Sequence, residues 1–336
     1  MKKVLLMIFC ICLIAGAWVF YAMGLDYNKI VLVLPSSKRA SSPYFYKKDG
    51  DFFLANDLKL GFEKLGYEVE YRFREDFDEI DFGDAGNVIY FKGYYNFENL
   101  PKDGNTKRKS LLYIYYVEGL YENILTEADV VVSASGRFID EFVKSKGLSG
   151  EVIYQYTNPD RFKFGALAGD DNIEVLFVGS NHTGRGRKSV DYAVKSGADL
   201  SLYGKFWDKG EYQEALKGSY IDNDELYKYY ANAKIVLNDH RQDMAYWGFV
   251  SNRIYDVSAS GGFVFTDYMK EIEAEYGDSI AMYKDFDEFK EKLEYYLTHE
   301  EERKDMAKRA YKITLEKFTN VKAAEKFVQI LKNIKK

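Results

Sequence analysis

Residues 251–267 read SNRIYDVSASGGFVFTD, and this stretch decides the fold class. It opens as a helix whose three- and four-residue spacing puts Arg253, Asp256 and Ser260 on one face. Gly261-Gly262 stop the helix, because glycine takes the left-handed cap conformation at little cost. Phe263-Val264-Phe265 restart the chain as a short buried strand that ends on Asp267. Helix, glycine break and buried strand make one unit of an open α/β sheet, and ligands of such sheets sit beyond the carboxyl ends of the strands. Arg253 and Asp256 would equally serve as an i, i+3 surface pair.

Working outward, the same alternation recurs on both sides. Apolar runs at 29–35 (KIVLVLP), 67–73, 87–91 (NVIYF), 111–116, 130–135 and 152–156 read as buried strands of a parallel sheet. Helices are expected at 52–65, stopped by Gly66, and at 137–146. The segment 154–162, YQYTNPDRF, followed by the small, polar 165–171, reads as the exit from a first domain. Beyond it, strands at 174–179 (EVLFVG), 200–204 (LSLYG), 234–237 and 280–283 alternate with helices from Ser189 and at 225–233, 286–297 and 300–318. Asp222 or Asp224 is the expected N-cap of the 225–233 helix. A last helix over 321–334 carries an apolar stripe of Val321, Ala324, Phe327, Val328 and Leu331. The expected architecture is two Rossmann-like α/β domains, 27–164 and 170–318, with residues 319–336 crossing back onto the first.

The loop 181–188, NHTGRGRK, follows Gly179-Ser180 and precedes a helix. Free amides at a helix start, with Arg185 and Arg187 beside them, suit a diphosphate; a solvated basic hairpin tip is the alternative. No third glycine falls in register for a dinucleotide fingerprint. His240 reads as a structural or hydrogen-bonding neighbour rather than a base.

Composition narrows the function. A net charge of −6 argues against a nucleic-acid partner. Both cysteines, Cys10 and Cys12, lie in the first apolar segment, and the three histidines are scattered, so neither a disulfide framework nor a zinc site is expected. Asp222-x-Asp224 matches an acidic metal motif, as do two other triplets among 53 acidic residues; capping is the simpler reading, and no metal is expected.

Lys2-Lys3 precede an apolar run over 4–23, within residues 1–25, about the ~20 residues needed to span a bilayer. Ala15-Gly16-Ala17 offers a signal-peptide cleavage site as the alternative, and with it export. A membrane anchor with the body on the cytoplasmic face is the expectation.

Asn252, Arg253, Tyr255, Asp256, Ala259, Gly261 and Gly262 match the pattern Asn-Arg-x-(Phe/Tyr)-(Glu/Asp)-x-x-Ala-x-Gly-Gly. The stretch resembles the nucleotide-sugar-binding helix of GT-B glycosyltransferases, particularly the group that includes spore-maturation glycosyltransferases. The likeness extends over about 173–334, and over the first domain by architecture. It implies transfer of a sugar from a nucleotide-diphosphate sugar, with UDP the commonest carrier, to a glycan, lipid or protein. It further implies that Asp256 holds the donor ribose, with Asn252, Ser260 and Gly261 on the same signature. By the same resemblance Gly179, Ser180, Arg185 and Arg187 would lie by the diphosphate, and Tyr220 in a loop that receives the base. Arg253 and Lys205 would stabilise the leaving diphosphate without a metal ion. The competing expectation is a secreted or anchored two-domain α/β protein that binds a small ligand such as a sugar and catalyses nothing.

Overall fold

In a computed structural model, residues 24–41, 50–165, 173–181, 186–208 and 210–336 are described. The apolar run 4–23, together with Arg185, lies outside the described residues. Among the described residues no helix is long and apolar enough to cross a membrane.

The first domain is built on β1 (Asp26–Val33), β2 (Glu68–Arg72), β3 (Ala85–Lys92), β4 (Lys109–Ile114), β5 (Val130–Ser133) and β6 (Gly150–Val152). They form one parallel sheet in the order β2-β1-β3-β4-β5-β6. Every residue of β3 is buried, which is why its centre, 88–91, reads as an apolar run. Helix α1 (Gly50–Lys64) follows β1. The helix expected at 137–146 begins as α2 (Gly136–Phe138), capped by the Ser135 hydroxyl, which accepts from the Phe138 N–H at 3.1 Å. It continues as a π turn over Ile139–Val143 and a 3-10 turn over Lys144–Lys146.

The second domain carries β7 (Val175–Val178), β8 (Leu200–Tyr203), β9 (Leu216–Gly218), β10 (Ile235–Asn238), β11 (Val264–Asp267) and β12 (Ala281–Tyr283). Their order is β12-β11-β10-β7-β8-β9, again all parallel. Its helices are α3 (Lys188–Lys195), α4 (Leu226–Asn232), α5 (Gln242–Trp247), α6 (Asn252–Ser260), α7 (Lys270–Tyr276), α8 (Phe286–Thr298) and α9 (Glu300–Lys317). Neither acidic candidate caps α4. Its N-cap position is Glu225, while the Asp222 carboxylate accepts from the Asp224 N–H at 3.1 Å in a turn of its own. Gly261 ends α6 at φ +81°, the left-handed cap that the double glycine announces.

The chain crosses between domains twice, at adjacent points. On the way out, the Thr157 N–H donates to the Phe318 carbonyl at 2.9 Å; on the return, the Asn320 N–H donates to the Thr157 carbonyl at 2.8 Å. Helix α10 (Asn320–Asn333) then lies on the first domain, burying Ala324, Phe327 and Leu331 in its core. Contact with α1 is close enough that a Cβ at Gly61 would stand 2.5 Å from the Asn320 carbonyl oxygen. Gly61→Ala should therefore lower stability in urea unfolding by roughly 1–3 kcal/mol, the usual penalty for overpacking, despite alanine's better helix propensity.

Candidate functional site

In the second sheet the strand order reverses between β7 and β10, and the crevice beyond their carboxyl ends is the place where open α/β sheets receive ligands. Arg253, on the first turn of α6, fills it. Its guanidinium donates to Asn238 Oδ1 at 2.7 Å and to the Val178 carbonyl, the last residues of β10 and β7. It also lies 4.9 Å over the Phe177 ring. Burial, and the positive charge of Arg187 beside it, pull its pKa below the usual guanidinium value. Among the described residues no carboxylate lies within ion-pair distance of this cation, and its Nε has no hydrogen-bond partner. A cation held in a half-buried crevice without an ion-paired carboxylate can receive an anion.

The glycines and polar groups around it follow from the same geometry. A Cβ at Gly179 would meet the Arg253 guanidinium at 3.0 Å, and one at Gly204 would stand 2.0 Å from the Gly179 carbonyl oxygen. The Ser180 hydroxyl accepts from the Lys205 N–H at 3.1 Å, which ties that exposed lysine to the same loop. Arg187, the residue before α3, is 5.4 Å over the same Phe177 ring and is paired with Asp239. Asp239 also accepts from the Ser189 N–H at 3.0 Å and so fastens the start of α3. Asn181 accepts from the Gly186 N–H at 3.1 Å, closing the glycine-rich loop over itself.

His240 is engaged at both ring nitrogens. Nδ1 is 2.7 Å from Asp267 Oδ1, and Nε2 accepts from the Ser251 N–H at 2.9 Å. That pattern fixes a neutral imidazole with its proton on Nδ1, and its role is to orient the start of α6. Burial pushes the Asp267 carboxyl up, but its hydrogen bonds from the His240 ring, the His240 N–H and Thr266 outweigh it and leave the pKa lowered.

Asp256 lies on the hinge side of α6. Its Oδ1 accepts from the Thr157 hydroxyl at 2.7 Å and its Oδ2 from the Asn252 amide at 2.8 Å. Burial pushes its pKa up to about 7, against the pull of Arg161 and of these hydrogen bonds. Ser260, fully buried, donates to the Asp256 carbonyl at 2.8 Å, and Gly261 packs beneath the Phe164 ring. Tyr220 is 39% exposed, beyond the edge strand β9. The structure thus gathers Gly179, Ser180, Arg187, Lys205 and Arg253 around one loop. Asn252 and Asp256 lie at the hinge, Ser260 and Gly261 at the far end of α6, and Tyr220 at the sheet edge.

A cleft of about 850 Å³ lies in front of this loop, lined by Ser180, Arg187, Lys188, Asp239 and Arg241 and closed by Val117 and Glu118 of the first domain. Arg241 bridges the two walls, at 3.0 Å from Glu118. Asn238, Asp239 and Glu118 escape motif reading. The rule that ligands meet strand ends points to the first two, which finish or follow β10; nothing local marks Glu118.

Residues 187–329 match the model of a family described as glycosyl transferase-like. The spore protein CgeB of Bacillus subtilis is 32% identical over 138 residues, 36% of this chain and 42% of that protein. The matched region therefore spans less than half of that relative's length. Among solved structures, sucrose-phosphate synthase from Thermosynechococcus elongatus superposes with a TM-score of 0.66 at 12% identity, covering 90% of this chain and 98% of the other. The Anabaena protein HepE, solved with UDP and glucose, gives 0.60 at 12% identity over 91% and 100%. At such identities the likeness establishes the fold, two parallel-sheet domains of the GT-B type.

The raised Asp256 pKa sets a pH dependence. The folded protein holds a proton on this carboxyl that the unfolded chain, with its pKa near 3.9, releases. This contribution is fully present below about pH 4 and is lost as pH rises toward 7, by up to roughly 4 kcal/mol. Asp256→Asn should remove the slope, so urea unfolding between pH 4.5 and 7.5 should show the variant gaining on the wild type as pH rises. Parallel curves would sink the assignment.

Proposed function

We propose, from the match of residues 187–329 to the glycosyl transferase-like family model, that the chain transfers a sugar from a nucleotide-diphosphate sugar, in the first instance a UDP-sugar. The observation that carries this is the Arg253 cation, held against the ends of β7 and β10 without a carboxylate to neutralise it. A diphosphate seated there would receive charge-assisted hydrogen bonds from Arg253, with Ser180, Lys205 and Arg187 at its sides. Arg187 would need to share its guanidinium between Asp239 and a phosphate oxygen.

In the reaction an acceptor oxygen bonds to the anomeric carbon as the bond from that carbon to the diphosphate oxygen breaks. The electron pair leaves on the diphosphate, and the acceptor proton passes to water or to a base. The protein's part is to hold the leaving charge in fixed dipoles and cations. We assign this stabilisation to protein groups alone, without a divalent ion. Asp256 would meet a ribose through the lone pairs that Thr157 and Asn252 leave open. Residues 4–23 would anchor the body to a membrane on the cytoplasmic side, where nucleotide sugars are made.

The test is calorimetric titration of the full chain in detergent with UDP, GDP and CMP, with and without EDTA. One nucleoside diphosphate should bind, unchanged by EDTA. Arg253→Ala should weaken it by roughly 10- to 100-fold, the loss expected of a charged hydrogen-bonding group. Binding that depends on a divalent ion would overturn the metal-independent reading. Binding of free sugar alone, with no nucleotide, would replace the transferase by a sugar-binding protein.

A further inference from the structure

At the carboxyl ends of β3 and β4 the first domain carries three adjoining tyrosines. Tyr94 is 59% exposed, and its ring stands perpendicular to that of Tyr95 at 5.5 Å. It also lies parallel to the Tyr116 ring, with centroids 6.4 Å apart. The Tyr116 phenol donates to Glu118 Oε2 at 2.6 Å, and that carboxylate forms the first-domain wall of the cleft. Asp51 lies at the other end, accepting from the Tyr94 N–H at 3.0 Å.

Beneath these residues is Lys92, with no exposed surface. Its ammonium donates to the carbonyls of Gly93 at 2.6 Å, Tyr116 at 3.0 Å and Glu118 at 3.1 Å. Among the described residues it has no carboxylate within ion-pair distance, and burial lowers its pKa to about 8. Burying an ammonium in this way costs more than an apolar side chain of similar size would. The three bonds join the turn that carries Tyr94 and Tyr95 to the turn that carries Tyr116 and Glu118. Lys92 is a positioning residue, and the surface it positions is built.

The chemistry of that surface selects its occupant. An aromatic face is electron-rich and attracts the polarised C–H groups on one side of a pyranose ring. An ionised carboxylate accepts hydroxyl hydrogen bonds at both oxygens. The Tyr116 hydrogen bond and the neighbouring Arg241 hold the Glu118 pKa below its ordinary value, against burial. Asp51 and Glu118 flank the tyrosines, and the Arg74 and Arg241 guanidinium groups stand 5.9 Å and 5.7 Å from the centres of the Tyr95 and Tyr116 rings. We infer that Tyr94, Tyr95, Tyr116 and Glu118 form the acceptor subsite, and that the acceptor is a saccharide stacked on the tyrosines with hydroxyls on Glu118. This rests on the transferase reading.

Saturation-transfer NMR on the full chain in detergent, with UDP present, tests it using maltose, cellobiose, lactose and diacetylchitobiose as ligands. At least one should receive magnetisation at its ring protons. Tyr94→Ala, at an exposed position, and Glu118→Gln, which keeps the shape, should each weaken that binding by fivefold or more, and Tyr94→Ala should leave UDP affinity unchanged. No binding by any of the four, or binding that both variants leave intact, overturns the inference. Saccharide binding that is lost in Tyr94→Ala, in a protein that binds no nucleotide, keeps the saccharide site and sinks the transferase.

Discussion

The structure depends on the place where the chain passes between its two sheets and comes back. Thr157 takes part in both passages through its backbone, and its hydroxyl reaches across to Asp256. Around it Asp57, 2% exposed, accepts from the Asn158 amide at 2.9 Å and pairs with Arg161, while the Asn320 amide donates to the Asp57 carbonyl at 2.8 Å. Buried polar groups are tolerated when their partners are in place and are costly otherwise. The network therefore holds one relative placement of the two sheets, and with it the distance across which donor and acceptor groups must meet.

The placement explains why the cleft's charges divide as they do. Cations gather at the carboxyl ends of the second sheet, where an apolar ring and backbone carbonyls receive them. Aromatic rings and carboxylates gather at the corresponding ends of the first. Arg241 is the group that belongs to both, anchored on the second domain and paired with Glu118. On the proposed function, each wall would supply one half of a transfer site.

Much of this was legible in the sequence, for a physical reason. Parallel strands buried on both faces carry continuous apolar stretches, as in residues 30–33 of β1, 88–91 of β3, 111–114 of β4 and the whole of β7. The stripe on α10 gave away its docking, since Phe327 and Leu331 have no other use on a terminal helix. Short elements without such a pattern were not legible. The strand β9 is Leu-Lys-Gly, α7 reads as a charged loop, and α5 has no buried residue of its own. At the site, the face shared by Arg253 and Asp256 could be read from spacing. That Arg253 turns to the ends of β7 and β10 and Asp256 to Thr157 could not, because Thr157 is 99 residues away.

One residue ties the two domains more tightly than their connection alone would. Phe249, four positions before Arg253, has no exposed surface and belongs to the hydrophobic core of the first domain, where its ring lies 5.7 Å from that of Phe138. Trp247 stands edge-on to the same Phe138 at 5.4 Å. The second domain thus contributes a side chain to the interior of its neighbour, and loss of either sheet uncovers the other's apolar surface. The protein is in this respect a single cooperative unit, which heat should melt in one calorimetric transition although its architecture is that of two.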